Sequence, residues 1–140
     1  MRIGLAQTDQ ARQACFAIRR TVFIDEQRIP EAEEWDAHDA TCLHYLAEAD
    51  SPAGTARLIA KGDVAKIGRV AVLPAYRGAG LGARLMQAVM ADARACDFRQ
   101  AELESQVYAV PFYERLGFVA EGPAYDDGSG IAHRLMRASL

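Results

Sequence analysis

From Val70 to Gly82 the chain reads Val-Ala-Val-Leu-Pro-Ala-Tyr-Arg-Gly-Ala-Gly-Leu-Gly, and these residue types in this order suit an anion. The glycines carry no Cβ, so their backbone N–H groups can come close to a bound group. A helix-patterned segment starts at the last glycines. Its first N–H groups have no partner within the helix, and the positive end of its dipole points the same way. Such a place binds phosphate or pyrophosphate. Arg77, at the lip of the turn, adds a permanent charge on a planar fork of donors.

Three phosphate ligands compete for this turn. An ATP-type loop is excluded, because G-x-x-x-x-G-K-[ST] is absent. Gly78-Ala79-Gly80-Leu81-Gly82-Ala83 formally fits the dinucleotide fingerprint, with Glu102 at the offset of a ribose-binding acid. That fingerprint needs its turn directly after a strand, whereas Pro74 to Arg77 intervene here. The 62 residues after Gly78 are also too few for a dinucleotide fold with its substrate domain. An acyl-CoA, whose pyrophosphate has the same chemistry, is the third choice.

Charge is unevenly spread. Residues 25–39 carry Asp25, Glu26, Glu31, Glu33, Glu34, Asp36 and Asp39 against Arg28, a local −6. Residues 57–84 carry Arg57, Lys61, Lys66, Arg69, Arg77 and Arg84 against Asp63, a local +5. A basic segment suits an anionic cofactor and an acidic one a cationic second ligand, unless both are plain solvated surface. The net charge of −3 and the lack of aromatics interleaved with the charges of the basic stretch, where Tyr76 stands alone, argue against nucleic acid. Cys15, Cys42 and Cys96 form no paired motif and read as small core residues. His38, His44 and His133 show no metal-ligand spacing, so no metal is expected. No apolar run reaches membrane length and no secretory h-region is present, which points to a cytoplasmic protein.

The elements that position the glycine turn follow from periodicity. At 140 residues one domain spanning 1–140 is expected. Residues 2–6 read as a strand. Thr8 or Asp9 caps a helix with Ala11, Ala14, Cys15, Ile18 and Val22 at helical spacing, ending near Asp25 ahead of Pro30. An acidic loop runs to about Ala40. Residues 41–49 and 54–61 form a hairpin, and 65–73 a third strand with a bulge at Gly68. Gly80 to Cys96 is a helix with Leu81, Leu85, Met86, Val89, Met90 and Ala93 as its buried stripe. A strand at 100–105, a short helix at 109–116 and strands at 118–121 and 131–137 complete a mixed sheet with helices on its faces.

Two widely separated motifs now carry a resemblance. Arg77-Gly78-Ala79-Gly80-Leu81-Gly82 matches the R/Q-x-x-G-x-G/A motif of the GNAT N-acetyltransferases, preceded by a Val-Ala-Val strand. Phe112-Tyr113-Glu114-Arg115-Leu116-Gly117-Phe118 resembles the family's F-Y-x-x-x-G-F segment at the proper spacing. Within the family the chain is similar to a small single-domain group. That group carries V-F-x-x-E-Q-x-I-P (Val22 to Pro30), E-x-D (Glu34 to Asp36), Gln-x-x-Ala (Gln106 to Ala109) and a late D-G…H-x-x-M (Asp127, Gly128, His133, Met136). The resemblance implies an α/β fold of α+β type, a mostly antiparallel sheet of about six to seven strands with helices on both faces.

It also implies roles. The backbone of Val70, Ala71 and Val72 pairs with the pantetheine arm of acetyl-CoA, and one N–H polarises the thioester carbonyl as an oxyanion donor does. Backbone N–H groups of Arg77, Gly78, Ala79, Gly80, Leu81 and Gly82 hold the pyrophosphate, with Gln106 lining the same cofactor site. Tyr113 is placed to protonate the departing thiolate as general acid, and an ordinary phenol there predicts a fall in kcat at high pH. Many relatives keep a glutamate on the strand before the glycine turn. This chain has Lys66-Ile67-Gly68-Arg69-Val70-Ala71-Val72 instead. Glu26 and Glu34, with Glu104 behind them, are therefore the candidates for base or acceptor contact. Trp35 is either a lid over the acceptor or a loop anchor. The expected acceptor is a small cationic amine or a basic peptide amine, drawn by Glu31, Glu33, Glu34 and Asp36. The enzyme reading competes with a non-catalytic acyl-CoA-binding module, and the protomer is read as a monomer or homodimer.

Overall fold

The computed structural model describes residues 1–140. Seven strands form one sheet: β1 (Arg2–Leu5), β2 (Leu43–Glu48), β3 (Pro52–Lys61), β4 (Val64–Val72), β5 (Gln100–Gln106), β6 (Val119–Asp126) and β7 (Ala132–Ser139). Their spatial order is β1-β2-β3-β4-β5-β7-β6. Every neighbouring pair is antiparallel except β4 and β5. A parallel pair needs a crossover, and helix α3 (Leu81–Ala95) supplies it. The α+β fold expected from the sequence is borne out.

Helices cover both faces. The expected stripe of α3, Leu81 to Ala93, packs with Tyr45, Ala47, Leu58 and Leu103 on one face. On the other, Cys15, Ile18, Val22 and Phe23 pack against Leu46 and Ala71. Cys15 and Ile18 come from α1 (Asp9–Arg19), capped by Thr8, whose Oγ1 accepts from Ala11 N–H at 3.1 Å, and Val22 and Phe23 from the stretch that follows it. Past Arg19 the helix widens into a π-helical stretch, Arg20–Glu26, before Pro30 excludes further helix. The acidic segment is more ordered than a loop: it holds α2 (Glu31–Glu34) and a 3₁₀ turn (Ala37–Ala40) with a capping box built on Asp36 and Asp39. The cysteines differ among themselves. Cys15 is buried as expected, whereas Cys42 is half-buried and Cys96, just past the end of α3, is exposed. No helix is long and apolar enough to cross a membrane.

Two features of β4 shape the site. Thr55 pairs with Ala71 and Arg57 with Gly68, so Arg69 and Val70 together face Ala56. This is the bulge expected beside Gly68, but the left-handed residue is Arg69, at φ +50°. A non-glycine residue there costs about 1–2 kcal/mol, and hydrogen bonds from the Arg69 guanidinium to the Glu34 carbonyl hold it in place. Second, β4 pairs with β5 only from Val64–Gln100 to Lys66–Glu102. Beyond Lys66 the two strands part, and a cleft opens between them.

Candidate active site

The cleft encloses about 980 Å³ and is lined by β4 from Ile67, the glycine turn, β5 from Leu103, the Tyr108–Leu116 segment, the Phe23–Ile29 segment and the Asp127–His133 loop. Short α4 (Val110–Glu114) brings Tyr113 to its wall. Leu73 N–H donates to Ala53 O at 2.8 Å, towards β3. Strand alternation then turns Ala71 to β3 and the N–H groups of Val72 and Val70 into the cleft. Ala71 thus spends its backbone on the ladder with Thr55, and its methyl is buried in the α1-side core.

At one end lies the glycine turn. Gly78 and Gly80 have φ +85° and +79°, a conformation that leaves glycine the unstrained choice. The N–H groups from Gly78 to Ala83 have no acceptor in the protein; the first bond back is Arg84 N–H to Gly80 O at 3.1 Å. They converge at the start of α3 as an anion cradle. Arg77 is not part of it. Its N–H donates to Pro74 O, and its guanidinium grips both oxygens of Glu26 at 2.7 Å while Nε donates to Val72 O at 2.9 Å. It neutralises Glu26 and ties the π-helical stretch to β4. Next to this clamp, Gln27 and Gln106 exchange amide hydrogen bonds at 2.7 and 3.4 Å across the cleft wall.

The two candidate bases are placed differently from the expectation. The Arg77 hydrogen bonds hold the Glu26 carboxyl below its usual range, which makes it a poor proton acceptor. Glu34 is only 2% exposed, with Arg19 Nε at 2.8 Å and Arg69 Nε at 3.3 Å from one of its oxygens. Burial pushes its pKa up in spite of both guanidinium groups. Arg19 also donates twice to Asp39, and Arg57 joins Asp39 to Asp36 with bonds of 2.7–2.8 Å. Hydrogen bonds from Arg57 take Asp36 down to about 2. Arg57, Arg69 and Arg77 of the basic segment are therefore neutralised by Glu26, Glu34, Asp36 and Asp39 of the acidic one. Trp35 belongs to the same network: Arg19 stacks on it at 4.8 Å and Phe16 meets it edge-on at 5.8 Å, so it is a loop anchor.

Removing one partner of a buried pair strands the other charge, at about 3–5 kcal/mol. Arg19→Met is accordingly expected to lower the melting temperature by about 10 °C or more, and Arg19→Met with Glu34→Leu to recover part of it. Calorimetry checks this, and equal losses in the two variants would refute it. The Asp36 contribution has a definite sign. Its folded pKa lies below the unfolded 3.8, so this stabilisation is complete above that value and is lost as pH falls towards 2.

Near this network Asp39, Cys42 and His44 bring ligand-type atoms within 4.8 Å of one another. Both Asp39 oxygens accept from Arg19 or Arg57, so guanidinium charge stands where a cation would need to be.

Tyr113 is buried between Phe112 and Phe118, at ring-centroid distances of 4.9 and 6.0 Å. Its hydroxyl has no hydrogen-bond partner in the protein, and the residue lines the cleft. Burial pushes the phenol well above its ordinary value.

The opposite end of the cleft holds Glu33, Glu104, Asp127 and His133. None of these carboxylates is gripped by an arginine; Glu104 has only Lys66, 4.0 Å away. Burial, with Glu104 beside it, raises the Tyr125 phenol to about 12. His133 is where composition alone misleads, because a strand histidine reads as a core residue satisfied by a neighbour. The late D-G…H-x-x-M motif is the signal that places it at the cleft.

Residues 7–140 match the family model for the acetyltransferase (GNAT) domain. The chain belongs to the GNAT acetyltransferase family. A Bacillus subtilis protein assigned as an acetyltransferase is 32% identical over 140 residues, 97% of this chain and 95% of its own. A Lactobacillus plantarum structure assigned as an N-acetyltransferase superposes with TM-score 0.92 at 30% identity, over 99% of this chain and 97% of that one. An acyl-CoA N-acyltransferase from Pseudomonas aeruginosa gives 0.85 at 29%, over 99% of both. The family's reaction moves an acetyl group from acetyl-CoA to an amine, and the resemblance drawn from the glycine turn and the Phe-Tyr segment is borne out at the level of the family.

Proposed function

We propose that this GNAT acetyltransferase acetylates a primary amine by direct attack within a ternary complex, the amine and acetyl-CoA entering the cleft from opposite ends. The observation that carries this reading is the cleft itself. A cradle of free N–H groups stands at one end, carboxylates without arginine partners at the other, and strand β4 with its free edge runs between them. In this reading Gly78, Ala79, Gly80, Leu81 and Gly82 hold the pyrophosphate through backbone N–H groups. The exposed edge at Val70 and Val72 takes the pantetheine as an added strand, with one N–H on the thioester oxygen. Arg77 and Ala71 support this edge rather than touch the ligand, and Gln106 flanks the arm. Tyr113 protonates the thiolate. The protein works in the cytoplasm, as a monomer or homodimer.

A cationic acceptor is still favoured, but by a different set of carboxylates. Of the residues expected to attract it, Glu31 is paired with Arg20, Glu34 with Arg19 and Arg69, and Asp36 with Arg57. Glu33 remains, joined by Glu104 and Asp127. Release of free CoA thiol across a panel of primary amines tests the function and separates an enzyme from a silent acyl-CoA binder. Glu33→Gln with Glu104→Gln should raise the KM of the best amine several-fold and flatten its salt dependence, leaving the KM of acetyl-CoA unchanged. Glu31→Gln should do neither. An anionic best acceptor would sink the charge argument.

A further inference from the structure

We infer that His133 is the base that deprotonates the acceptor, and that Asp127 holds the acceptor's ammonium group against it; the inference rests on the acetyltransfer reading above. His133 stands on β7, opposite Gln106 of β5 and Tyr125 of β6, and is 7% exposed at the cleft wall. Its Nδ1 lies 2.7 Å from the Ile131 carbonyl oxygen. A carbonyl oxygen only accepts, so Nδ1 carries the proton and the neutral ring keeps its lone pair on Nε2. The sheet thereby sets the tautomer a base requires.

Nε2 faces Asp127 Oδ2 at 3.5 Å. With the ring neutral, these are two acceptors with no hydrogen between them. A primary ammonium has three N–H bonds in tetrahedral array and can donate to both at once. Asp127 is suited to its part: burial opposes its ionisation, but hydrogen bonds from Ser129 outweigh that and keep it a carboxylate. Once Nε2 has taken a proton, the imidazolium faces that carboxylate as an ion pair.

The other candidate bases are placed less well. Glu26 is clamped by Arg77, Glu34 by Arg19 and Arg69, and Glu104 is shared between Lys66, 4.0 Å away, and the Tyr125 hydroxyl. The charged and titratable groups around His133 come from every neighbouring element: Asp127 from its own loop, Tyr125 from β6, Glu104 from β5, Glu33 from α2 and Arg69 from β4.

The step balances as follows. The ammonium gives one proton to Nε2, which passes it to solvent. The freed lone pair attacks the thioester carbon, the C–N bond forms, and the C–S bond breaks. The nitrogen sheds a second proton as the amide forms, which offsets the one Tyr113 delivers to the thiolate.

Nitrogen-detected NMR of the unliganded protein should find His133 protonated on Nδ1; a proton on Nε2 overturns the inference. The kinetic probe is whichever of ethanolamine, 1,4-diaminobutane and lysine amide the wild type acetylates fastest. His133→Gln should lower kcat/KM for that amine about 10²–10⁴-fold at neutral pH. The deficit should shrink at alkaline pH, where solution already supplies free amine. The fall in wild-type kcat/KM towards low pH should lose its histidine component, with acetyl-CoA affinity unchanged. Asp127→Asn should raise the amine KM more than it lowers kcat. Wild-type rates and an unchanged pH profile in His133→Gln would overturn the base assignment alone. No turnover of any of the three amines by the wild type would instead overturn the acetyltransfer reading beneath it.

Discussion

Gly82→Asp is expected to abolish the thermal stabilisation that acetyl-CoA gives the wild-type chain, while the chain itself stays folded. Gly82 sits in the first turn of α3, among the N–H groups without protein acceptors. A Cβ there meets Phe112 Cζ at 3.4 Å and Val72 Cγ2 at 3.8 Å, close to ordinary contact. An aspartate near a helix N-terminus is favourable to the helix, so the substitution spares the fold. It places a carboxylate where the proposed cradle would hold the pyrophosphate. Two unit charges about 4 Å apart at an effective dielectric of about 20 repel by about 4 kcal/mol, or about 10³-fold in Kd. A ligand at about 100 Kd stabilises by about 2.7 kcal/mol. After that loss it stands at about a tenth of Kd, and the shift disappears. Gly80→Asp acts differently: at φ +79° it adds backbone strain of about 1–2 kcal/mol and lowers the melting temperature of the free protein as well. Thermal scans with acetyl-CoA, NAD(H) and ATP check this. A shift kept in Gly82→Asp, or produced by NAD(H) rather than acetyl-CoA, would refute the cradle.

Tyr113→Phe is expected to cost about 10²-fold in kcat, the low end of general acid catalysis, because a thiolate is already a fair leaving group. The structure makes this a clean substitution. Phe keeps the contacts with Phe112 and Phe118, and no hydrogen bond within the protein is lost. Acetyl-CoA affinity and stability near neutral pH should hardly move. The pH behaviour departs from that of an exposed phenol. Burial raises the folded pKa above the ordinary 10.0, so the donor stays protonated through the usual alkaline range. A fall in kcat just above neutrality therefore has another origin and persists in the variant. Stability carries the phenol's signature instead. Its contribution is complete below the unfolded value and declines as pH rises from there towards the folded one, a loss that Tyr113→Phe escapes. Stopped-flow single turnover shows whether chemistry limits the rate. If it does and kcat is unchanged, Tyr113 is only a core residue and water protonates the thiolate.

The parts legible in the sequence are those specified by neighbours along the chain. Glycines at positive φ, a proline ahead of the turn and an i, i+4 apolar stripe set the anion cradle and α3 within a few residues of their observed bounds. Strand alternation and turn residues likewise set the order of elements, because each depends on local φ/ψ preference and local periodicity. Tyr113 was placed by its spacing from Gly117 and Phe118 within one motif.

Charge could not be read this way. Glu26 meets Arg77 and Asp36 meets Arg57 across 51 and 21 residues of sequence, so segments that look like ligand sites in composition cancel each other once folded. Coulomb energy depends on separation in space and on burial, and a charge count along the chain contains neither. The same holds for His133. The D-G…H-x-x-M motif marks the residue, but only the fold sets Ile131 O against Nδ1 and Asp127 against Nε2. The cleft, too, exists only because β4 and β5 pair for three residues and then part, a consequence of a long-range parallel contact that no local pattern encodes.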